Sequence, residues 1–506
     1  MRTTWLLVVI ACRSDESGAP EPPETPEAPL TLIGLQLVPD DAPVNGMTLI
    51  GLASRAAVIE AACAATDDPT DLHYVGTSAL SGSPTVGVYG LLADTEYRCD
   101  VVLRDGAGAQ VSGSVTARTA GLPDDFPVIE VDWPAGDRAR SDGGWTLFNH
   151  WIQDGDPKMQ KLVLVDSDGR VRWYFVLDLE VSVGIEANLA APGVIALGGG
   201  MGFPPTLVSV DGAILYRSPD PSSGGLFHHH TELLPSGDML SLATADNEAN
   251  GVVWEGFIIE TRQAWTGALT WVWNSQAGVD AGVLPTTSQP DEDLFHANAI
   301  QAVDDVDGPG WYVSLRALDT IARVDAASGT IDWTLGPGGD FVLLDADGAP
   351  LPDDQWFYGQ HDPEYALPSV LVHDNGYGRP GDDYSRAIEL HVDVARREAR
   401  LVWAWTEEGW SEPVWGDLDR LANGDVLLTQ GHCWDCGTGD PARRSTVLEL
   451  DPRDDAVIWR LVMPEERAGV YRAERIGGCA LFGSVAECPE LAGPAAAAVV
   501  AAAGAP

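Results

Sequence analysis

From about residue 128 onward, short runs of alternating hydrophobic and polar positions come in pairs that close on an Asp-x-x-Gly turn and finish on an aromatic strand. LVLVDSDGRVRWYF, LVSVDGAILYRS, IARVDAASGTIDWTL and VLELDPRDDAVIWRL are the clearest copies, with FIIETRQAWTGALTWVW and IELHVDVARREARLVWAW as longer variants. A hydrophobic period of two marks strands with one buried face, and the Asp/Gly turns between runs mark hairpins. The six copies carry their aromatic residues at Trp173, Tyr216, Trp273, Trp333, Trp403 and Trp459, at irregular intervals of about the size of a four-stranded blade plus loops. A second hairpin precedes several of them, as in ELLPSGDMLSLA and DRLANGDVLLTQ. The pattern predicts an all-β chain with a six-bladed β-propeller over residues 128–480. A pair of β-sandwiches fits less well, because the two-part unit keeps returning in one order.

Residues 30–122 read as a separate unit. TLIGLQLV, AAVIEAACA, TVGVYGLL and YRCDVVL are split by Asp/Pro/Gly turns at short intervals, as in an antiparallel sandwich. Tyr97 stands two residues before Cys99, as in a tyrosine corner, and Cys63 lies in an earlier strand able to face it. GLLADTEYRCDVVLRDGAG resembles a fibronectin type III module, which implies a spacer or docking role and no chemistry. The N-terminus MRTTWLLVVIAC joins Arg2, a short apolar run and Cys12; Val9-Ile10-Ala11-Cys12 resembles a bacterial lipobox. That resemblance implies a signal peptide over residues 1–11, lipidation at Cys12 and a bacterial cell-envelope location, with the lipid anchor as the only membrane contact. The Pro/Glu-rich stretch 12–29 cannot bury enough apolar surface to fold and reads as a tether, and residues 481–506 read as a tail. Six cysteines remain after Cys12. In an exported chain they read as bridges: Cys63 with Cys99, and, by proximity, Cys433 with Cys436 and Cys479 with Cys488.

Charge removes several function classes. The 506 residues hold 76 acidic and 29 basic side chains, a formal charge of -47, which repels nucleic acid. Only two lysines occur, Lys158 and Lys161, and neither follows a phosphate-cradling glycine loop, so a nucleotide cofactor lacks its usual anchor and no cofactor is expected.

Histidines carry the candidate chemistry. His228, His229 and His230 precede the LLPSGD hairpin, His296 precedes ANAIQAV, and His361 precedes the strand after PEYALP. Each begins a blade, so three successive blades aim imidazoles at one axis, with Arg316 one hairpin beyond His296. Imidazoles buried with a guanidinium are costly unless they meet an anion or a metal. Three histidines suit zinc, but carboxylate partners at the matching positions are few, Arg316 would oppose a cation, and Asn298 suits an oxyanion. The reading therefore favours an anion and no metal.

At these residues the chain resembles the aryl sulfate sulfotransferase family, cofactor-independent bacterial enzymes with a six-bladed propeller and a small N-terminal sandwich. The resemblance spans most of 128–480 and rests on HHHTELLPSGDML, on FHANAI followed by VSLRALDTIARVDAASGTIDWTLG, and on YGQHDPEY followed by LVHDNG. It implies that His361 takes a sulfuryl group from an aryl sulfate as a sulfohistidine and passes it to a phenol. His229, His296, Asn298 and Arg316 would surround the sulfate oxygens, and Thr429 in LLTQGH joins them on register alone. A neutral imidazole is a competent nucleophile near neutral pH. The competing class is a lipid-anchored propeller that binds an anionic ligand or a metal without turnover.

Overall fold

The computed structural model describes residues 28–40, 45–77, 79–152, 160–177, 184–381, 383–431, 444–465, 468–477 and 481–482. Cys12, Cys433, Cys436, Cys479 and Cys488 lie outside the described residues, as do the signal peptide, nearly all of the tether and most of the tail. The described chain is all-β, with almost no helix; Gln276–Asp280 is a five-residue α-helix.

The N-terminal unit has two sheets, one of Leu32–Pro39, Gly46–Ala53 and Thr85–Tyr89, the other of Leu72–Gly76, Ala57–Ala65, Glu96–Asp105 and Gln110–Arg118. Along Glu96–Asp105 buried and exposed residues alternate at its start, sending Tyr97, Cys99, Val101 and Leu103 into a core with Met47, Leu49 and Ile59. Cys63 and Cys99 face each other across neighbouring strands and form a disulfide. Tyr97 Oη accepts from the Leu92 amide at 2.9 Å and donates to the Asp71 carboxylate. The same carboxylate accepts from buried Arg172 at 2.6 Å, which fixes this unit to the next. Phe482 and Trp145, with rings 5.5 Å apart, pack at the same junction.

Six sheets follow, each of four strands or more and antiparallel except where the edge strand Val342–Leu344 runs parallel to Glu398–Trp405. Their innermost strands are Glu186–Ala191, Phe227–Leu233, Ala297–Asp305, His361–Ala366, Asp417–Arg420 and, last in sequence, Ala473–Ile476. Ala473–Ile476 pairs with Trp145–Ile152 and so completes the first sheet from the far end of the chain, while Glu130–Asp132 pairs with Ala456–Val462 on the last sheet. Each inner strand lies beside that of the next sheet, and Ala473–Ile476 lies between Glu186–Ala191 and the last sheet.

The aromatic repeat falls on the fourth strand of each sheet. Trp173 donates its indole N–H to Val210 O at 2.9 Å, Trp273 to Gly329 O at 2.7 Å and Trp403 to Asp455 Oδ1 at 2.9 Å, each on the neighbouring sheet's outer turn. Trp459, on the last sheet, reaches Ser167 O of the first at 2.9 Å. The turns that receive them explain part of the acidity. Asp166, Asp325 and Asp451 each accept backbone N–H groups two or more residues on, an Asx arrangement that favours aspartate over any neutral residue but asparagine.

Candidate active site

The inner strands begin at one end of the axis, and there the imidazoles meet. His361 is 2% exposed and its Nδ1 lies 2.7 Å from Gly416 O, a carbonyl that can only accept, so Nδ1 carries the proton and Nε2 the lone pair. Burial, helped by the Arg472 charge, pushes its pKa well below the ordinary histidine value, so the ring is neutral. Backbone geometry sets this orientation. Gly416 has φ +97°, and a Cβ there would lie 2.2 Å from Nε2 of His373, the residue paired with His361 across the hairpin. Asn375 holds the preceding loop by donating to Glu412 O at 2.7 Å and Trp415 O at 2.9 Å.

The histidine run divides its roles. The His229 ring is 4.9 Å from that of His296 and 6.3 Å from that of His361, which makes it the member facing the other two. His228 turns to His229, with Nδ1 atoms 2.8 Å apart. His230 points one step deeper, where Arg472 approaches its Nδ1 at 2.9 Å. Burial pushes His228 down to about 4 and His229 and His230 well below the ordinary value.

Arg316 follows the neighbouring strand Gly308–Leu315; its amide donates to His296 O at 3.2 Å, its guanidinium to Pro413 O at 2.6 Å, and it lies over Tyr377, 5.4 Å from the ring centre. Asn298 donates its side-chain amide to Gln360 O at 2.8 Å, the carbonyl just ahead of His361. Thr429 sits on the second strand of its sheet opposite Asp417, fully buried, its hydroxyl without a hydrogen-bond partner.

Several site residues carry no signal in the repeat. Tyr471 Oη lies 3.3 Å from His361 Nε2. Trp415 packs on Tyr471 and Trp151 on Trp415, at 5.9 and 5.4 Å between rings, so an aromatic row leads away from His361. Asp293 accepts from both the backbone N–H of His296, at 2.9 Å, and its Nδ1, at 2.5 Å. Arg472 is the hub below: it pairs with Glu186, with Asp362 at 2.9 Å and with Asn298 O at 2.8 Å. Asp362 and Asp417 lie side by side, and burial pushes both carboxyls up.

Two residues further along the inner strands the axis changes sign. Asn188, Glu232, Gln301, Glu364, Asp419 and Glu474, one from each inner strand, line a cavity of about 280 Å³ with Arg472 at its inner end. An imidazole cluster and a carboxylate cluster thus share one axis. Among the described residues no three His, Cys, Asp or Glu side chains are placed to hold a metal ion.

Residues 145–472, which hold every imidazole of this cluster together with Arg316, Tyr471 and Arg472, match the model of the arylsulfotransferase (ASST) family. The chain belongs to that family. Small aryl sulfates and phenols are therefore its substrate class, and arylsulfotransferase activity its general assignment. A comparison with curated proteins finds no match. Among solved structures, a putative 6-phosphogluconolactonase from Bacteroides fragilis is 11% identical, with 84% of this chain and 98% of that one covered at a TM-score of 0.33. AztD from Citrobacter koseri is 9% identical, covering 84% and 99% at a TM-score of 0.25. Likenesses this distant carry no argument about the arylsulfotransferase site.

Proposed function

We propose that the protein is an aryl sulfate sulfotransferase that needs no activated sulfate nucleotide and works through a sulfohistidine at His361. The observation that carries this reading is the committed Nδ1–H of a buried, neutral imidazole, which leaves Nε2 as a nucleophile at the head of an imidazole cluster. In the first half-reaction the S–O bond of the donor breaks as the N–S bond to Nε2 forms, and the phenol departs. In the second, an acceptor phenol takes the sulfuryl group and His361 regains its lone pair. Arg316, His229 and His296 balance charge on the sulfuryl and bridging oxygens; Asn298 and Tyr471 hold the ring of His361 in register. Thr429 completes the pocket wall.

The scaffold of this reading is a six-bladed propeller following a fibronectin type III-like module. Six successive sheets, the return of Ala473–Ile476 to the first sheet and the link from Trp459 to Ser167 support it. The lipobox-like start supports an exported lipoprotein, held to the envelope by Cys12 alone.

The test is to mix the protein with 4-nitrophenyl sulfate, quench, and measure intact mass, then repeat with phenol present. One added sulfuryl group, discharged by phenol as phenyl sulfate forms, is the expected result. Retention of the sulfate ester without adduct or turnover would instead support the non-catalytic binding propeller.

A further inference from the structure

His296 differs from the other imidazoles of the cluster. Its side chain is 34% exposed, against 2% for the whole of His361. Its backbone sits at φ +45°, a left-handed conformation that a β-carbon disfavours and that surrounding contacts must impose. Asp293 imposes it. One carboxylate oxygen takes the backbone N–H of His296 and the other takes Nδ1, and the backbone of Asp293 is tied to the neighbouring sheet by a β-bridge with Glu255. With Nδ1–H committed to a carboxylate, Nε2 is the nitrogen free to gain and lose a proton, and His229 is the next ring inward, 4.9 Å away.

The remaining groups cannot take this part. His228 and His229 are locked on each other and driven neutral by burial, His230 is held by Arg472, and burial raises the Tyr471 phenol far above neutrality. The charges facing the pair are Arg316 from beyond Gly308–Leu315 and Glu255 from Val252–Gln263, with neutral His228 and His229 from Phe227–Leu233.

Building on the sulfotransferase reading above, we propose that the Asp293–His296 pair manages the phenolic proton in both half-reactions, with Asp293 as the positioning residue. During loading, the aryl O–S bond breaks, the N–S bond at His361 forms, and the leaving oxygen takes the proton from Nε2 of His296. During discharge, the acceptor O–H gives its proton to the same nitrogen while its oxygen bonds sulfur and the N–S bond breaks. The proton that Nε2 gives up during loading is returned to it during discharge, so the cycle closes.

The experiment measures phenol release by the full chain carrying Asp293→Asn, using sulfates of 4-nitrophenol and of unsubstituted phenol. An oriented acid matters most where the leaving oxygen is basic, so the phenyl sulfate rate should fall about 10²-fold or more and the 4-nitrophenyl sulfate rate by less than about tenfold. Asp293→Glu should restore part of the difference, and the alkaline limb of the wild-type pH profile for phenyl sulfate should be lost in Asp293→Asn. Equal losses for both donors, with an unchanged pH profile, would show a merely structural aspartate and overturn the proposal, as would no loss at all. Because phenol release is read without reference to the adduct, absence of a sulfohistidine would overturn the reaction pathway and still leave this comparison decisive for Asp293.

Discussion

Side chains around the axis hold backbone conformations that non-glycine residues ordinarily avoid. His229, His296, Asp362 and Trp415 all have positive φ, at +59°, +45°, +35° and +70°. Strain of this kind costs roughly 1–3 kcal/mol per residue and persists only where neighbours over-determine it; here the neighbours are Gly199 O, Asp293, Arg472 and Asn375. These contacts fix where each imidazole points before substrate arrives. Two substitutions separate the roles. His361→Ala should abolish transfer and adduct together, since no other nitrogen in the cluster has Nδ1 pinned to Gly416 O, while Arg316→Ala should retain turnover reduced about 10²–10³-fold, the usual cost of one lost charge-stabilising donor. Steady-state rates with 4-nitrophenyl sulfate check both, and comparable rates in wild type and His361→Ala would defeat the nucleophile assignment. At this scale the histidines are legible because each stands at a strand start in a recurring unit, and Arg316 because it lies one hairpin beyond His296. Asp293 was not, because its role comes from a local three-residue reach to His296 that no repeat displays. Tyr471 and Arg472 were hidden for another reason: VYRAERI belongs to a strand that completes the first sheet from the far end of the chain.

Strands and turns were more readable than contacts, and the outer aromatic residues show why. A tryptophan that recurs on the fourth strand has a recurring task, reaching the outer turn of the next sheet. Trp173, Trp273, Trp403 and Trp459 each do so through the indole N–H. Tyr216 and Trp333 keep the position by packing instead, against Trp265 and Phe341. Period and turn chemistry therefore appear in the sequence because they are repeated, whereas strand order does not, and nothing in the sequence of Glu130–Asp132 announces that it pairs with Ala456–Val462. Of these links the one from Trp459 to Ser167 joins the last sheet to the first. Trp459→Phe keeps an aromatic ring in a fully buried site and removes the N–H, leaving Ser167 O unpaired and shrinking the ring, so it should cost about 1–3 kcal/mol in urea unfolding. A loss below about 0.5 kcal/mol would mean that this link does not hold the last sheet to the first.

The whole molecule divides its charge along one axis, and that division makes stability depend on pH from both sides. Burial pushes Glu232 and Glu474 in the carboxylate ring up to about 7, and raises Glu364 and Asp419 as well. An unfolded glutamate titrates near ~4.3, so a raised carboxyl favours the fold fully below that pH and loses its contribution as pH rises through the folded value. The buried histidines act in the opposite sense. His150, His228 and His373 are pushed down to about 4. Against an unfolded value near ~6.5, they favour the fold fully above that pH and lose their contribution as pH falls through about 4. The urea midpoint should therefore peak at about pH 5–6 and decline on both sides. Surface repulsion at a formal charge of -47 adds to the alkaline decline, but salt separates the two contributions, because exposed charges are screened within about 8–10 Å at ordinary ionic strength and the buried ring is not. Glu474→Gln keeps an acceptor for the Leu189 amide, bonded at 2.9 Å, and removes one titrating group from the ring. Measured in high salt, that variant should lose less stability than wild type between pH 6 and 8 and follow it on the acidic limb; coincident alkaline limbs would show that the ring carboxyls do not titrate in that window.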